Sequence, residues 1–246
     1  MAEKSNRVLR HTRAAIEELA RTGPLTTADI ARELGIPRPS AHRLLAALTH
    51  EGLTTQGTDG RFGLTTQWLT FGESALRLAS AWFTRDDLLE QLRDDTGLTV
   101  FLSVPRPGQT VCIRRLHGRS YNILVLRPGG SLPLYLGGVG RITLAFGTED
   151  ATTYLADAPF EPVTEYSLVT RAELEADVAT SRADGATLSD QDVTMGVAAV
   201  AVPVFDGGKL LAALSVAGRR EDVVDDVPEL RSRLFDAAAQ IGSARH

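Results

Sequence analysis

Cysteine is nearly absent. Its single occurrence in 246 residues, Cys112, has no partner for an internal disulfide and fits a reducing compartment. Long hydrophobic runs are missing too. The longest, such as VAAVAV from Val197, fall far short of the roughly 20 residues a helix needs to cross a bilayer. The N-terminal MAEKSNRVLRHTR lacks the apolar centre of a signal peptide, so a cytoplasmic protein with no membrane partner is expected. The histidines at 11, 42, 50, 117 and 246 show no ligand spacing, so neither metal nor cofactor is expected. No Gly-x-Ser-x-Gly elbow and no local His/Cys pair nominates a nucleophile, and no catalytic residue is assigned.

What is present is an ordinary globular composition, 43% hydrophobic and 23% charged, on a chain long enough for one large domain or two smaller ones. The net charge of −5 hides an asymmetry. Residues 1–62 hold nine Lys and Arg against seven Asp and Glu, a head of +2, which leaves −7 for the remainder. A mildly basic head on an acidic body suggests two modules with different partners.

The head carries the clearest pattern, LTTADIARELGIPRPSAHRLLAALTHEG from Leu25 to Gly52. Ahead of it, Val8, Leu9, Ala15, Ile16 and Leu19 recur at helical spacing and predict a helix over about 6–22, stopped by Gly23-Pro24. Thr26, three residues before Asp29, reads as an N-cap with a carboxylate in the first turn, so a helix over about 27–34 buries Ile30, Ala31 and Leu34. Gly35 supplies the turn. Pro37 and Pro39 then open a third helix, whose Ala41, Leu44, Leu45 and Leu48 form one stripe. Arg43 points away from that stripe, Ser40 and His42 flank it, and Arg38 stands at its start. The following LTTQGTDGRFGLT reads as a hairpin turning at Asp59-Gly60, with Leu53, Phe62 and Leu64 facing inward. Helix, turn, helix and wing is the order in which DNA-binding modules offer donors to base edges and phosphates. The same residues also fit a helical hairpin with a solvated Arg/His face.

An apolar helix is predicted over about 66–82. Its Trp68, Leu69, Ala75, Leu76, Ala79 and Trp82 exceed what a lone surface helix needs, and it is read as a linker packing on a partner chain or the next domain. Beyond Arg85 come a helix at 85–95, the β-type runs LTVFLSV, TVCIRRL and YNILVL, helical stretches at 139–146 and 171–183, the strands VAAVAVPVF and KLLAALSVAG, and a closing helix at 228–242. Without regular βαβ alternation this is an α+β domain with a largely antiparallel sheet. Cys112 is expected as a small core residue on its strand. In SLPLYLGGVGRITLAF, Gly137, Gly138 and Gly140 at a helix start offer N–H groups to an anion, or merely make a tight turn. The Lys-Ser/Thr ending of a phosphate loop is missing, which argues against nucleotide hydrolysis. Asp190 and Asp192 in LSDQDVTMG read either as ligand-binding carboxylates or as a solvated loop before a strand.

In this order, GIPRPSAHRLLAAL, RFGLTTQWLTFG, LPLYLGGVGRITLAF and MGVAAVAVPVFDGGKLLAALSVAGR resemble the IclR family of bacterial transcriptional regulators, from about Arg7 to Ile241. The resemblance implies a winged helix-turn-helix over 1–65, a linker helix over 66–83 and a GAF-like α+β effector-binding domain over 84–246. It places the DNA readers at Arg38, Ser40, His42 and Arg43, with wing support from Arg61. It places the effector pocket at Leu132, Gly138, Val139, Gly140, Asp190 and Ser215. The chain departs from the family pattern at Arg141, usually Lys, at Ala199, often Cys, and at Ala217, often Ser. Two polar lining groups thus become methyls, which favours a larger or more apolar effector over a small hydrophilic acid.

The function expected is that of a ligand-responsive regulator, a repressor of a catabolic or metabolic operon, without enzymatic activity. It acts on a double-stranded DNA operator as a homodimer or homotetramer, under control of a small effector such as a carboxylate or aromatic acid. The alternative is an enzyme that converts a small molecule, its N-terminal module serving only for targeting or dimerisation. A DNA-binding architectural protein with a purely structural C-terminal domain is the third reading.

Overall fold

A computed structural model describes residues 2–78, 85–119, 126–147 and 150–243, and the chain divides into two units after Ser80. In the first, helices α1 (Ala2–Thr22), α2 (Thr27–Glu33) and α3 (Arg38–His50) lead to a hairpin of β1 (Thr54–Gln56) and β2 (Phe62–Leu64), then to α4 (Gln67–Leu78). Their apolar stripes meet in one core of Ala15, Leu19, Ile30, Ala41, Leu45 and Phe62, with Leu53 and Leu64 packed against it. Val8 and Leu9 do not join it. They stand 60% and 63% exposed, because this first part of α1 extends past the elements that bury its later turns.

Local chemistry sets the boundaries. The Thr26 hydroxyl accepts from the Asp29 N–H, and the Asp29 carboxylate accepts from the Thr26 N–H at 3.1 Å, a reciprocal cap that starts α2. The Thr26 hydroxyl also donates to the Asp29 carboxylate at 2.6 Å, and that bond, then the Thr26 N–H and Arg32, hold the Asp29 carboxyl below its ordinary range. Gly35, at φ +61°, makes the turn into α3, and Pro39 sits in its first turn, where no N–H is needed. Leu25 adds a strand-like contact to the wing, exchanging backbone hydrogen bonds with Phe62 at 2.8 and 2.9 Å. Trp68 anchors α4 through an indole N–H bond to the Leu53 carbonyl at 2.8 Å, while Leu69 and Phe71 stay exposed. The side chains of Ala75 and Leu76, and residues Ala79 and Trp82 of the expected linker, lie outside the described part of the chain.

The second unit starts with α5 (Asp86–Thr96) and holds β3 (Thr99–Arg106), β4 (Gln109–Leu116), β5 (Ser131–Pro133), α6 (Gly137–Phe146), the short α7 (Ala151–Tyr154), α8 (Arg171–Asp184), β6 (Thr187–Asp190), β7 (Val197–Asp206), β8 (Lys209–Arg219), the short α9 (Arg220–Val224) and α10 (Val227–Ser243). The strands form one antiparallel sheet in the order β5-β4-β3-β8-β7-β6. The short strands β5 and β6 escaped the sequence reading, and most of the YNILVL run lies outside the described residues.

The two faces of this sheet differ in bulk. Val200, Val202 and Val204 of β7 and Leu214 and Val216 of β8 pack against α5 and α10. The residues between them, Ala199 and Ala201, then Ala213, Ser215 and Ala217, face the other way, toward Val139 and Ile142 of α6. Small residues let α6 sit close. A Cβ on Gly138 would come within 2.9 Å of the Ala201 methyl. Beyond α6, α8 supplies Leu174 and Val178 to a third layer with Leu144.

Candidate nucleic-acid interface and ligand pocket

With Leu45 and Leu48 buried, α3 presents Arg38, His42 and Arg43 to solvent, and no acidic residue lies in its first turn. Ser40 is half-buried and accepts from Arg43 Nη2 at 3.2 Å. Arg38, Pro39 and His42 rim a shallow depression completed by Thr27 at the start of α2. Three of the donors expected from the sequence, Arg38, His42 and Arg43, are thus exposed on this one helix. Arg61 is on the wing, its guanidinium donating to the Pro24 carbonyl at 3.3 Å and lying 3.8 Å from Asp59. This arrangement offers cations and a helix N-terminus to phosphates, and a helix narrow enough for a major groove.

In the second unit, a cleft lies between the sheet's small-residue face and the start of α6. Its walls include Phe101, Leu126, Leu132, Val139 and Val193, and its floor includes Ala199 and Ala217. The polar side chains are the hydroxyls of Ser189, Thr194 and Ser215. Of the expected pocket residues, Leu132, Gly138, Val139 and Ser215 line the cleft; Asp190 and Gly140 do not. Asp190 turns outward to a two-point ion pair with Arg220, at 2.7 and 2.9 Å. Ser189 faces the cleft instead, opposite Ala199 in the ladder. Gly140 backs onto β5, where a Cβ would meet the Pro133 carbonyl at 2.5 Å.

The two readings left open for this segment are decided separately for its two aspartates. Asp192 is no solvated loop residue; it is 2% exposed. Its carboxylate accepts from the Gly137 N–H at 3.0 Å and from the Ser189 hydroxyl, and its carbonyl accepts from the Ser167 hydroxyl at 2.7 Å. Arg141, also buried, lies 3.5 Å from Asp192, pairs with Asp177 and donates to the Leu188 carbonyl at 2.7 Å. Burial pushes the Asp177 carboxyl up, Arg141 opposes that, and the negative Asp192 adds to it. One N–H of the glycine turn, that of Gly137, is therefore already taken by the protein's own carboxylate. Cys112 is buried on β4 as expected, its thiol pushed up to about 12 by burial, which leaves it unreactive. No group of three His, Cys, Asp or Glu among the described residues has the geometry of a metal site.

Residues 14–57 match the IclR helix-turn-helix domain, and residues 83–243 match the bacterial transcriptional regulator IclR C-terminal domain. The chain belongs to the IclR family. The acetate operon repressor of Salmonella typhimurium is 27% identical over 225 residues, covering 89% of this chain and 82% of that one. The Pca regulon regulatory protein of Pseudomonas putida is 30% identical over 197 residues, covering 78% and 67%. Among solved structures, an IclR transcriptional regulator from Alicyclobacillus acidocaldarius superposes with a TM-score of 0.80 at 22% identity, covering 98% and 99% of the two chains. An IclR homologue from Microbacterium hydrocarbonoxydans, complexed with 4-hydroxybenzoate, gives 0.75 at 21% identity, covering 95% and 98%. The IclR relatives are transcriptional regulators rather than enzymes, and this chain is a transcriptional regulator of the same kind.

Proposed function

We propose that this IclR-family chain binds an operator through α3 and the wing and is released from it, or held on it, by a small molecule in the cleft below α6. The observation that carries the reading is that α3 buries Ala41, Leu45 and Leu48 in the core while Arg38, His42 and Arg43 stay exposed on it. It acts as a repressor of a catabolic or metabolic operon, in the cytoplasm, as a homodimer or homotetramer paired partly through α4. The effector changes operator affinity only by its differential affinity for the DNA-competent and incompetent arrangements. An aromatic-sized effector suits the apolar walls. Among the described residues, no helix is long and apolar enough to cross a membrane, so no span competes with this reading.

The test is selection of duplexes from a random pool by the full chain, followed by titration across salt concentrations. Enrichment of a palindromic site, with affinity falling steeply as salt rises, is expected. No enriched site, or salt-independent binding, overturns the DNA half of the proposal.

A further inference from the structure

We infer that α3 reads its operator through Arg43 and Ala46 together: the guanidinium recognises a guanine, and the Ala46 methyl recognises the 5-methyl of a thymine within about two base pairs of it. The inference rests on reading α3 as the helix that enters the major groove, and it names the base chemistry which that helix selects.

The helix geometry comes first. Ala41, Leu45 and Leu48 are the residues of α3 buried in the core. At about 100° per residue, the line opposite them runs through Pro39, Arg43, Ala46 and His50, with Ala47 beside it. All five are exposed. His42 lies off that line by about a quarter turn and Arg38 lies further round, and both rim the depression shared with Thr27. When the line faces the floor of a groove, this flank faces its phosphate wall. The composition of the line is unusual for a solvent side. A surface helix ordinarily sets charged and polar side chains opposite its buried stripe, as α1 does with the paired Arg13 and Glu17. On α3 the corresponding side carries a pyrrolidine, two methyls and one guanidinium before it reaches His50. His50 sits in the last turn, 3.2 Å from the Glu51 carboxylate, a charge that DNA phosphates repel.

Ahead of His50, Arg43 is the one side chain on the line able to hydrogen-bond. Its Nη2 is steered by the Ser40 hydroxyl at 3.2 Å, and a guanidinium matches O6 and N7 of guanine with two parallel donors. Ala46 follows one turn later, about 4.5 Å further along the axis, against about 3.4 Å per base pair, so the two contacts fall within about two base pairs. A methyl at this place has two effects. Its shortness lets the helix approach the groove floor closely enough for Arg43 to reach. Its hydrocarbon surface also excludes water from the apolar group that the major groove displays, the thymine methyl.

The test starts from a duplex that the full chain enriches from a random pool. Each thymine is replaced in turn by deoxyuridine, which lacks only the 5-methyl, and each guanine by 7-deazaguanine, which lacks the N7 acceptor. Wild-type affinity is expected to fall about threefold at one thymine of each half-site. It is expected to fall about tenfold at a guanine within about two base pairs of that thymine. Ala46→Gly should bind the thymine and deoxyuridine duplexes equally, and Arg43→Ala should bind the guanine and 7-deazaguanine duplexes equally. Each comparison is a ratio within one variant, so a loss of folded protein cancels. Ala46→Gln, a good helix former at an exposed position, should prefer adenine to thymine at the same place. An enriched duplex indifferent to every deoxyuridine or to every 7-deazaguanine overturns the inference and leaves operator binding standing. So does a thymine preference that survives in both Ala46 variants, or a guanine preference that survives Arg43→Ala. If no duplex is enriched, the inference falls together with the DNA half of the proposed function.

Discussion

Arg43 and Ser40 are joined across one turn of α3, the guanidinium Nη2 donating to the serine hydroxyl at 3.2 Å. The bond holds the arginine over the helix's solvent side before DNA arrives, so less side-chain freedom is lost on binding. Arg43→Ala should therefore weaken specific operator binding by about 1–3 kcal/mol if the side chain reads a base. Fluorescence anisotropy across a salt series checks this. Unchanged affinity removes Arg43 from the reading surface.

Self-association should run through α4. Leu69 is 73% exposed and Phe71 46% exposed, although both are large and apolar, while the neighbouring Trp68 is tied to the wing. Sedimentation at micromolar concentration should show a dimer or larger, and Leu69→Glu with Phe71→Glu should shift it toward monomer. A monomeric wild-type chain that still binds a two-half-site duplex tightly contradicts the paired reading.

A cleft ligand at a hundredfold excess over its dissociation constant should stabilise the protein by about 2.7 kcal/mol, visible as a raised melting temperature. Val139 lies in the wall, 4% exposed, and a bulky Val139→Trp should fill the space and abolish the shift without loss of operator binding by the free protein. Ser215→Ala should weaken the ligand by about 0.5–1.5 kcal/mol if the hydroxyl makes a neutral hydrogen bond. A ligand whose shift survives Val139→Trp binds elsewhere.

Asp177 makes stability fall with rising pH. Its carboxyl is raised above the ordinary 3.8, chiefly by burial, so the folded state holds the proton more tightly than the unfolded chain does. The proton's stabilisation is complete below about 3.8, the unfolded value, and is lost as pH climbs through the raised folded value. Asp177→Asn cannot ionise, so the difference in melting temperature between variant and wild type should move in the variant's favour across that window. A difference that stays flat with pH shows that Asp177 titrates normally.

Gly138→Ala tests how tightly α6 lies on the sheet. The new methyl would stand 2.9 Å from the Ala201 methyl, so something must shift, at a cost of about 1–3 kcal/mol. Urea unfolding that is unchanged within about 0.5 kcal/mol would show that the helix yields without cost.

The first unit was legible because its signals are local. Thr26 and Asp29 announce a cap, Gly35 a turn and Asp59-Gly60 a hairpin, each within a few residues of the structure it makes. The Leu25–Phe62 pairing was not legible, since nothing in either segment names a partner 37 residues away. In the second unit the alternation of β7 and β8 was visible, but the phase of β6 was not. A strand of four residues carries too little pattern to say which side faces in, and a one-residue choice turns every side chain over. Asp190 was placed in the cleft by the family resemblance alone, and the residue of this strand that lines it is Ser189. Asp192 was named from the sequence, but its burial was not legible, for a different reason. A buried carboxylate is expected only where partners await it, and Gly137, Arg141 and Ser167 come from distant segments.

The unequal faces of the sheet carry a consequence for how such a protein can change. Along β7 and β8, adjacent residues answer to different demands: Val200, Val202, Leu214 and Val216 hold the unit together, whereas Ala199, Ala217 and Ser215 meet whatever occupies the cleft. Stability and preference are thus written on alternate letters of the same two strands. Drift at the inner letters can retune the chemical signal while the outer letters, and the fold they maintain, stay as they are. A library varied only at Ala199, Ser215 and Ala217 is a compact route from this regulator to sensors for new molecules.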